Sequence, residues 1–130
     1  MLPTAPLILF AAAVLPQSKW QEIGRTSTGN SVYLDGKSVR KAPDGILTAR
    51  LRVTYTPPLE TPKGKVTSSR AVAMFDCAKR LVATRESVLY LNEAKGVEFS
   101  RRTIAKPGFG PALSSTFADV ALKHLCAKTP

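Results

Sequence analysis

Residues 46–56 read ILTARLRVTYT, and from Leu47 onward apolar residues alternate with polar ones. Successive side chains of a β-strand point to opposite faces, so this period of two predicts a strand with one buried and one solvated face. The solvated face carries Arg50 and Arg52. A strand of this kind is typical of an antiparallel sheet that packs against its core from one side.

Shorter segments before residue 46 also predict extended structure, and turn residues separate them. Residues 20–26 form the first predicted strand, and residues 31–35, SVYLD, form the second. Asp35-Gly36 is a strong turn signal that we expect to close this second strand. Residues 37–41 continue extended, and residues 43–45, PDG, turn the chain into the long strand.

The residues after the long strand predict a loop followed by further strands. Residues 57–64, PPLETPKG, are expected to form a loop, because proline fixes φ and lacks the N–H donor. Strands are expected at residues 68–76 and 97–104. Residues 80–91 fit both a helical stripe and a strand; we favour a strand, since β-forming residues are frequent and the neighbouring elements are strands.

Residues 116–127 predict a C-terminal helix. Thr116 and Asp119 have the spacing of a capping box, in which a hydroxyl accepts a hydrogen bond from an otherwise unpaired N–H. The apolar face of this helix comprises Phe117, Val120, Ala121 and Leu125. The predicted fold is therefore α+β, an antiparallel meander that ends in one helix.

Cys77 and Cys126 are the only cysteines of the 130-residue chain. An even pair in an exported protein predicts a disulfide, which here ties the end of a strand to the terminal helix. A zinc site needs about four ligands, whereas the chain offers two thiols and one histidine, His124. We therefore expect no metal and no cofactor.

Side chains suited to acid–base catalysis are scarce. The carboxylates considered as candidates, which form no obvious pair, are Asp35, Asp44, Asp76 and Glu98. The single histidine leaves little for proton transfer. We expect no catalytic residues, and a small extracytoplasmic enzyme stays a minor alternative.

Residues 1–18 predict a signal peptide, and residues 19–130 the mature domain. The apolar core, LILFAAAVL at residues 7–15, is too short for a membrane span of about 20 residues but sufficient for export. Ala11 and Ala13 supply small residues for cleavage, and no cysteine follows for lipid attachment. We expect a periplasmic or secreted protein without a transmembrane span. The alternative is an N-terminal buried strand or helix.

The chain carries 19 Lys and Arg against 9 Asp and Glu, a net charge of +10, which attracts polyanions. Expected partners are an extracellular or envelope protein or an anionic glycan, and an edge strand also permits a homodimer. A nucleic-acid-binding role fits the charge but lacks a motif. The alternative is solvated charge that does not cluster. The predicted ligand-binding residues are Arg50, Arg52, Arg70, Lys79, Arg80, Arg101 and Arg102.

The order of several short segments resembles the surface-adhesin protein E family of bacterial cell-envelope proteins. These segments run from Trp20 through VYLD at 32–35 and FDC at 75–77 to IAKPG at 104–108 and Cys126. The resemblance implies a six-stranded antiparallel sheet whose C-terminal helix is tethered by the disulfide. It also implies an exported, non-enzymatic envelope domain that binds a protein or polyanionic ligand. A structural role in envelope assembly is the alternative.

Overall fold

The computed structural model describes residues 19–127. The predicted signal peptide, residues 1–18, lies outside them. The described residues form a seven-stranded antiparallel sheet followed by one helix. The elements are β1 (Trp20–Arg25), β2 (Ser31–Lys41), β3 (Leu47–Thr61), β4 (Gly64–Asp76), β5 (Leu81–Asn92), β6 (Val97–Thr103), β7 (Gly110–Pro111) and α1 (Phe117–Cys126).

Strands β1 to β6 lie side by side in chain order, and the two-residue strand β7 pairs with the start of β5. The predicted α+β meander is confirmed. The ambiguous residues 80–91 form strand β5, as favoured. Strand β5 pairs with both β4 and β6, and these ladders override the helical pattern of its sequence.

The loop predicted at residues 57–64 is wrong, because β3 continues through most of it. The pairing of β3 with β4 is irregular between Thr54 and Leu59 and then resumes. Pro57 and Pro58 lie within this irregularity, where no ladder hydrogen bond is required of their backbone nitrogens. The missing N–H of proline is therefore tolerated at this point of the strand.

The turn predicted at Asp35-Gly36 is also wrong, since β2 runs without a break from residue 31 to residue 41. Its pairing with β3 is interrupted between Asp35 and Arg40. Within this bulge the Ser38 hydroxyl donates to the Asp35 carbonyl at 2.6 Å and accepts from the Arg50 N–H at 2.8 Å. The side chain thus replaces the missing ladder contact and keeps the strand extended.

Helix α1 packs on one face of the sheet and closes the hydrophobic core. Leu51 and Phe75 are fully buried at the centre of the sheet, and Leu122 and Leu125 cover them from the helix. Burial of each such side chain contributes about 1.5–3 kcal/mol. The helix begins as predicted, since the Thr116 hydroxyl accepts from the Asp119 N–H at 3.4 Å.

The predicted disulfide is confirmed. Cys77, directly after β4, is bonded to Cys126 in the last turn of α1, and their Cα atoms are 5.4 Å apart. A ten-residue helix is marginal in isolation. The covalent bond and the buried face together therefore hold α1 on the sheet.

We predict that replacing Cys77 and Cys126 by alanine lowers the free energy of unfolding by up to about 4 kcal/mol, because the bond closes a loop of 49 residues. Urea denaturation of the oxidised protein and of the double variant measures this difference. Identical unfolding midpoints would contradict the account of how α1 is held.

We predict that Gly24→Ala destabilises the fold by about 1–3 kcal/mol through overpacking. A Cβ atom at this position of β1 would lie 2.8 Å from Cγ1 of Val120 on the helix. Gly36→Ala is the matched control, since an added Cβ there meets no atom within 4 Å. Equal unfolding free energies for the two variants would show that β1 and α1 do not approach this closely.

Candidate functional site

The sheet face that α1 leaves uncovered is called the open face. Cross-strand pairing arranges its side chains in rows that run across the strands. The first row contains Trp20, Asp35, Arg50, Val72, Glu86 and Thr103. The second row contains Glu22, Tyr33, Arg52, Arg70, Val88 and Arg101.

Four of the seven basic residues predicted to bind ligand lie in these two rows. They are Arg50, Arg52, Arg70 and Arg101. The other three lie elsewhere. Arg102 pairs with Ser87 and points to the opposite face, while Lys79 and Arg80 lie in the turn between β4 and β5. The structure therefore brings together a smaller set than the sequence predicted.

A bulge in β6 places Arg101 on the open face. Glu98 pairs with Tyr90, whereas Arg101 pairs with Val88, so one residue of β6 is extra between them. Simple alternation would put Glu98 and Arg101 on opposite faces. The bulge instead puts them side by side, and Nη2 of Arg101 lies 2.7 Å from Oε1 of Glu98.

Glu93, in the turn after β5, connects two of the open-face arginines. Its carboxylate accepts from Nε of Arg52 at 2.9 Å, from Nε of Arg70 at 2.5 Å and from the Ser68 hydroxyl at 2.6 Å. Its side chain is only 12% exposed. Charge-assisted hydrogen bonds of this kind are about twice as strong as neutral ones, so Glu93 fixes both guanidinium groups.

The pKa of Glu93 reflects this arrangement. Burial raises the pKa, but the hydrogen bonds from Ser68, Arg52 and Arg70 together outweigh burial, so that the pKa lies below its ordinary value. The carboxylate therefore stays ionised throughout the neutral range.

Aromatic rings also contact these arginines. The guanidinium carbon of Arg70 lies 5.4 Å from the centre of the Trp20 ring and 5.9 Å from that of Tyr90. Arg52 lies 5.4 Å from the centre of the Tyr33 ring. These distances are within the range of cation–π attraction. The side chains of the second row are consequently packed and oriented, although they lie on the solvent side of the sheet.

Most basic charges of the open face are neutralised by a carboxylate of the same chain. Arg101 pairs with Glu86 and Glu98, and Nζ of Lys19 lies 4.0 Å from Asp35. The Arg50 guanidinium is different: among residues 19–127, no carboxylate oxygen lies within 4.0 Å of it. The charge of Arg50 is thus not neutralised by any carboxylate of the described chain.

Two adjoining grooves meet at Arg50. The first has a volume of about 210 Å³ and its charged and aromatic lining comprises Lys19, Trp20, Arg50, Arg70, Glu86, Tyr90 and Arg101. The second has a volume of about 430 Å³ and its charged lining comprises Asp35, Lys37, Arg40 and Arg50. In both grooves the basic residues outnumber the acidic ones.

The bulge of β2 supplies two of the basic residues of the second groove, Lys37 and Arg40. Nη1 of Arg40 donates to the carbonyls of Lys37 and Val39, at 2.7 and 2.9 Å, which orients the side chain without neutralising it. In the described chain, neither Lys37 nor Arg40 has a carboxylate within 4.0 Å. Sequence reasoning missed both residues because it expected a turn at Asp35-Gly36 and did not foresee the bulge.

The acidic residues considered as catalytic candidates have structural contacts. Asp44 accepts from the Ile46 N–H at 3.0 Å, and Asp76 accepts from the Lys79 N–H at 3.1 Å, so each holds a turn. Between residues 19 and 127, no three His, Cys, Asp or Glu side chains lie close enough to hold a metal ion. The single helix of that region is too short to cross a membrane.

Comparison with known proteins agrees with this fold. A sequence model of the family described as surface-adhesin protein E matches residues 20–127. No curated protein matches the chain significantly.

Several solved structures of Haemophilus influenzae protein E are similar to this chain. Crystal form II has 18% identity and a TM-score of 0.57, with 85% of this chain and 89% of that chain covered. The selenomethionine form has 17% identity and a TM-score of 0.56, with 86% and 88% covered. Protein E from a non-typeable strain has 15% identity and a TM-score of 0.51, with 85% and 77% covered. At these identities the similarity is one of fold.

We predict that Glu93→Gln lowers the free energy of unfolding at pH 7 by roughly 1–3 kcal/mol, because it removes charge-assisted hydrogen bonds to two arginines. The folded-state pKa of Glu93 is depressed, so its contribution is present above the unfolded pKa of about 4.3 and is lost as the pH falls through the folded value. The loss of stability on acidification should therefore be smaller in the variant. Urea unfolding between pH 3 and pH 7 measures both effects.

The control is Glu60→Gln, which removes an exposed carboxylate that lies 3.6 Å from Lys65. We expect this substitution to change stability by less than about 1 kcal/mol. Equal stability changes for the two variants would contradict the role assigned to Glu93.

Proposed function

This chain belongs to the surface-adhesin protein E family, and we propose that it is an exported, non-enzymatic adhesion domain that binds an anionic glycan through its open face. The single observation that carries this proposal is the position of Arg50, a guanidinium without a carboxylate partner in the described chain, at the junction of two basic grooves. The disulfide supports export, because such bonds persist in oxidising compartments such as the periplasm and the extracellular space.

The distribution of charge favours an acidic ligand. Arg50, Lys37 and Arg40 have no carboxylate neighbour within 4.0 Å among residues 19–127, so their charges are available to an incoming anion. Arginine presents a planar fork of donors that matches carboxylate and sulfate groups. The net charge of +10 attracts such a ligand over a longer range and raises its rate of association.

The shape of the site favours a linear polymer. The basic side chains follow a line across the strands, from Lys37 and Arg40 in the bulge of β2 to Arg50 on β3. Arg70 lies on the next strand, β4. Adjacent strands are about 4.8 Å apart. A chain of acidic sugars that lies across the strands would place successive anionic groups near successive basic side chains. Both grooves are open to solvent along this line and do not enclose a small molecule.

The scarcity of exposed apolar surface favours a glycan over a protein partner. The fully buried core of a protein–protein interface is more apolar than the rest of the protein surface. In the part of the chain that the structure describes, the large apolar side chains that are exposed are Leu59, Val97, Phe109 and Leu113. None of them belongs to the two rows that line the grooves.

We predict that the protein is retained on heparin resin above physiological ionic strength, about 0.15 M, and that Arg50→Ser markedly lowers the salt concentration of elution. Lys37→Ser combined with Arg40→Ser should have a similar effect. The matched control is Lys63→Ser, which removes the same charge from the exposed turn between β3 and β4. Elution of the wild type at low salt would refute the proposal, and so would equal shifts for Arg50→Ser and Lys63→Ser.

A further inference from the structure

Resting on that proposed function, we infer that the first groove is an anchoring subsite for one carboxylate or sulfate group, which Arg50 and Arg70 bind together beside Trp20. The two arginines lie on neighbouring strands, since Arg50 pairs with Val72, two residues from Arg70. Diagonal neighbours of this kind are about 7–8 Å apart, and their Cβ atoms are somewhat closer. That separation allows two long side chains to converge on a single anion.

Arg70 is held in position before any ligand arrives. Its Nε donates to Glu93, and the rings of Trp20 and Tyr90 contact its guanidinium. A guanidinium has five N–H donors, and within residues 19–127 the hydrogen bonding of the Arg70 side chain goes to Glu93 alone. The terminal nitrogens therefore retain donors for a ligand. Because the group is already ordered, binding costs little conformational entropy.

Arg50 supplies the charge that the subsite needs. Arg52 and Arg70 both pair with the carboxylate of Glu93. In the described chain, no carboxylate oxygen lies within 4.0 Å of the Arg50 guanidinium. The first groove also contains Lys19, whose Nζ lies 5.3 Å from the centre of the Trp20 ring. An anion between Arg50 and Arg70 would thus face at least two cations and lie beside an aromatic wall.

Glu93 already binds Arg70 through the kind of carboxylate–guanidinium pairing that we propose for the ligand. The chain already places one carboxylate against Nε of Arg70 at 2.5 Å. The second anion would use the opposite edge of the same guanidinium, in the geometry of charge-assisted pairing that arginine favours. Arg52 is not part of the subsite, because its Nε contacts both Glu93 oxygens, at 2.9 and 3.1 Å.

The volume of the groove limits what it can hold. Pockets for whole drug-sized ligands are typically about 300–1,000 Å³, and this groove has about 210 Å³. One anionic group with its neighbouring atoms fits, whereas a complete oligosaccharide does not. The subsite therefore anchors one acidic group of the ligand, and the rest of the polymer lies along the open face.

Trp20 is the only tryptophan of the chain, so its indole N–H gives a single, assignable signal in a nitrogen–proton NMR spectrum. We would titrate the oxidised, labelled full chain with sodium sulfate and, separately, with sodium acetate, with sodium chloride holding the ionic strength constant. We expect a saturable shift of this signal with a Kd in the ~1 mM range. Arg50→Ser should weaken binding about tenfold or more, and Lys63→Ser should not change it.

The outcomes separate the subsite from the wider function. A saturable shift with sulfate alone, with acetate alone or with both supports the subsite and identifies the group that it prefers. The absence of a shift beyond that caused by chloride overturns it, as does an unchanged shift in Arg50→Ser. If the NMR titration fails but retention on heparin still depends on Arg50, the subsite is wrong and the proposed function stands. If retention on heparin does not depend on Arg50 either, the proposed function is also wrong.

Discussion

Helix α1 covers only one face of the sheet. This constraint determines where the hydrophobic core lies and how the charged side chains of the other face are arranged. On the covered face, Leu51, Phe75 and the apolar side of the helix form the core. The disulfide between Cys77 and Cys126 keeps the helix attached to the sheet. Within residues 19–127 no second layer covers the other face, so its long side chains must be ordered by contacts with one another. The arginines of this face are ordered through ion pairs and aromatic contacts.

This mode of ordering separates the basic residues into two classes. Arg52, Arg70 and Arg101 are paired with Glu93, Glu86 and Glu98, which fix the positions of these side chains. Arg50, together with the basic residues in the bulge of β2, retains its charge without a carboxylate neighbour among residues 19–127. A net charge of +10 therefore does not mean a uniformly basic surface. It leaves a localised region, which is where we propose that a glycan binds.

Much of the fold was predictable from the sequence, because it depends on local patterns. The alternation of residues 46–56, the capping residue Thr116 and the two cysteines each predict their structural role directly. The bulges were not predictable. They depend on contacts between strands, such as the Ser38 hydroxyl replacing a ladder partner of β3. Glu93 was missed for the same reason, since its bond to Arg52 joins residues 41 positions apart.

We propose that Arg50 and Arg70 mark the place where an acidic ligand binds. The most direct measurement is a crystal structure of the oxidised chain with a sulfated disaccharide. Our account predicts a sulfate or carboxylate group within hydrogen-bonding distance of both guanidinium groups, in the groove beside Trp20. A disaccharide bound instead near Lys79 and Arg80, or against Arg102 on the opposite face, would contradict it.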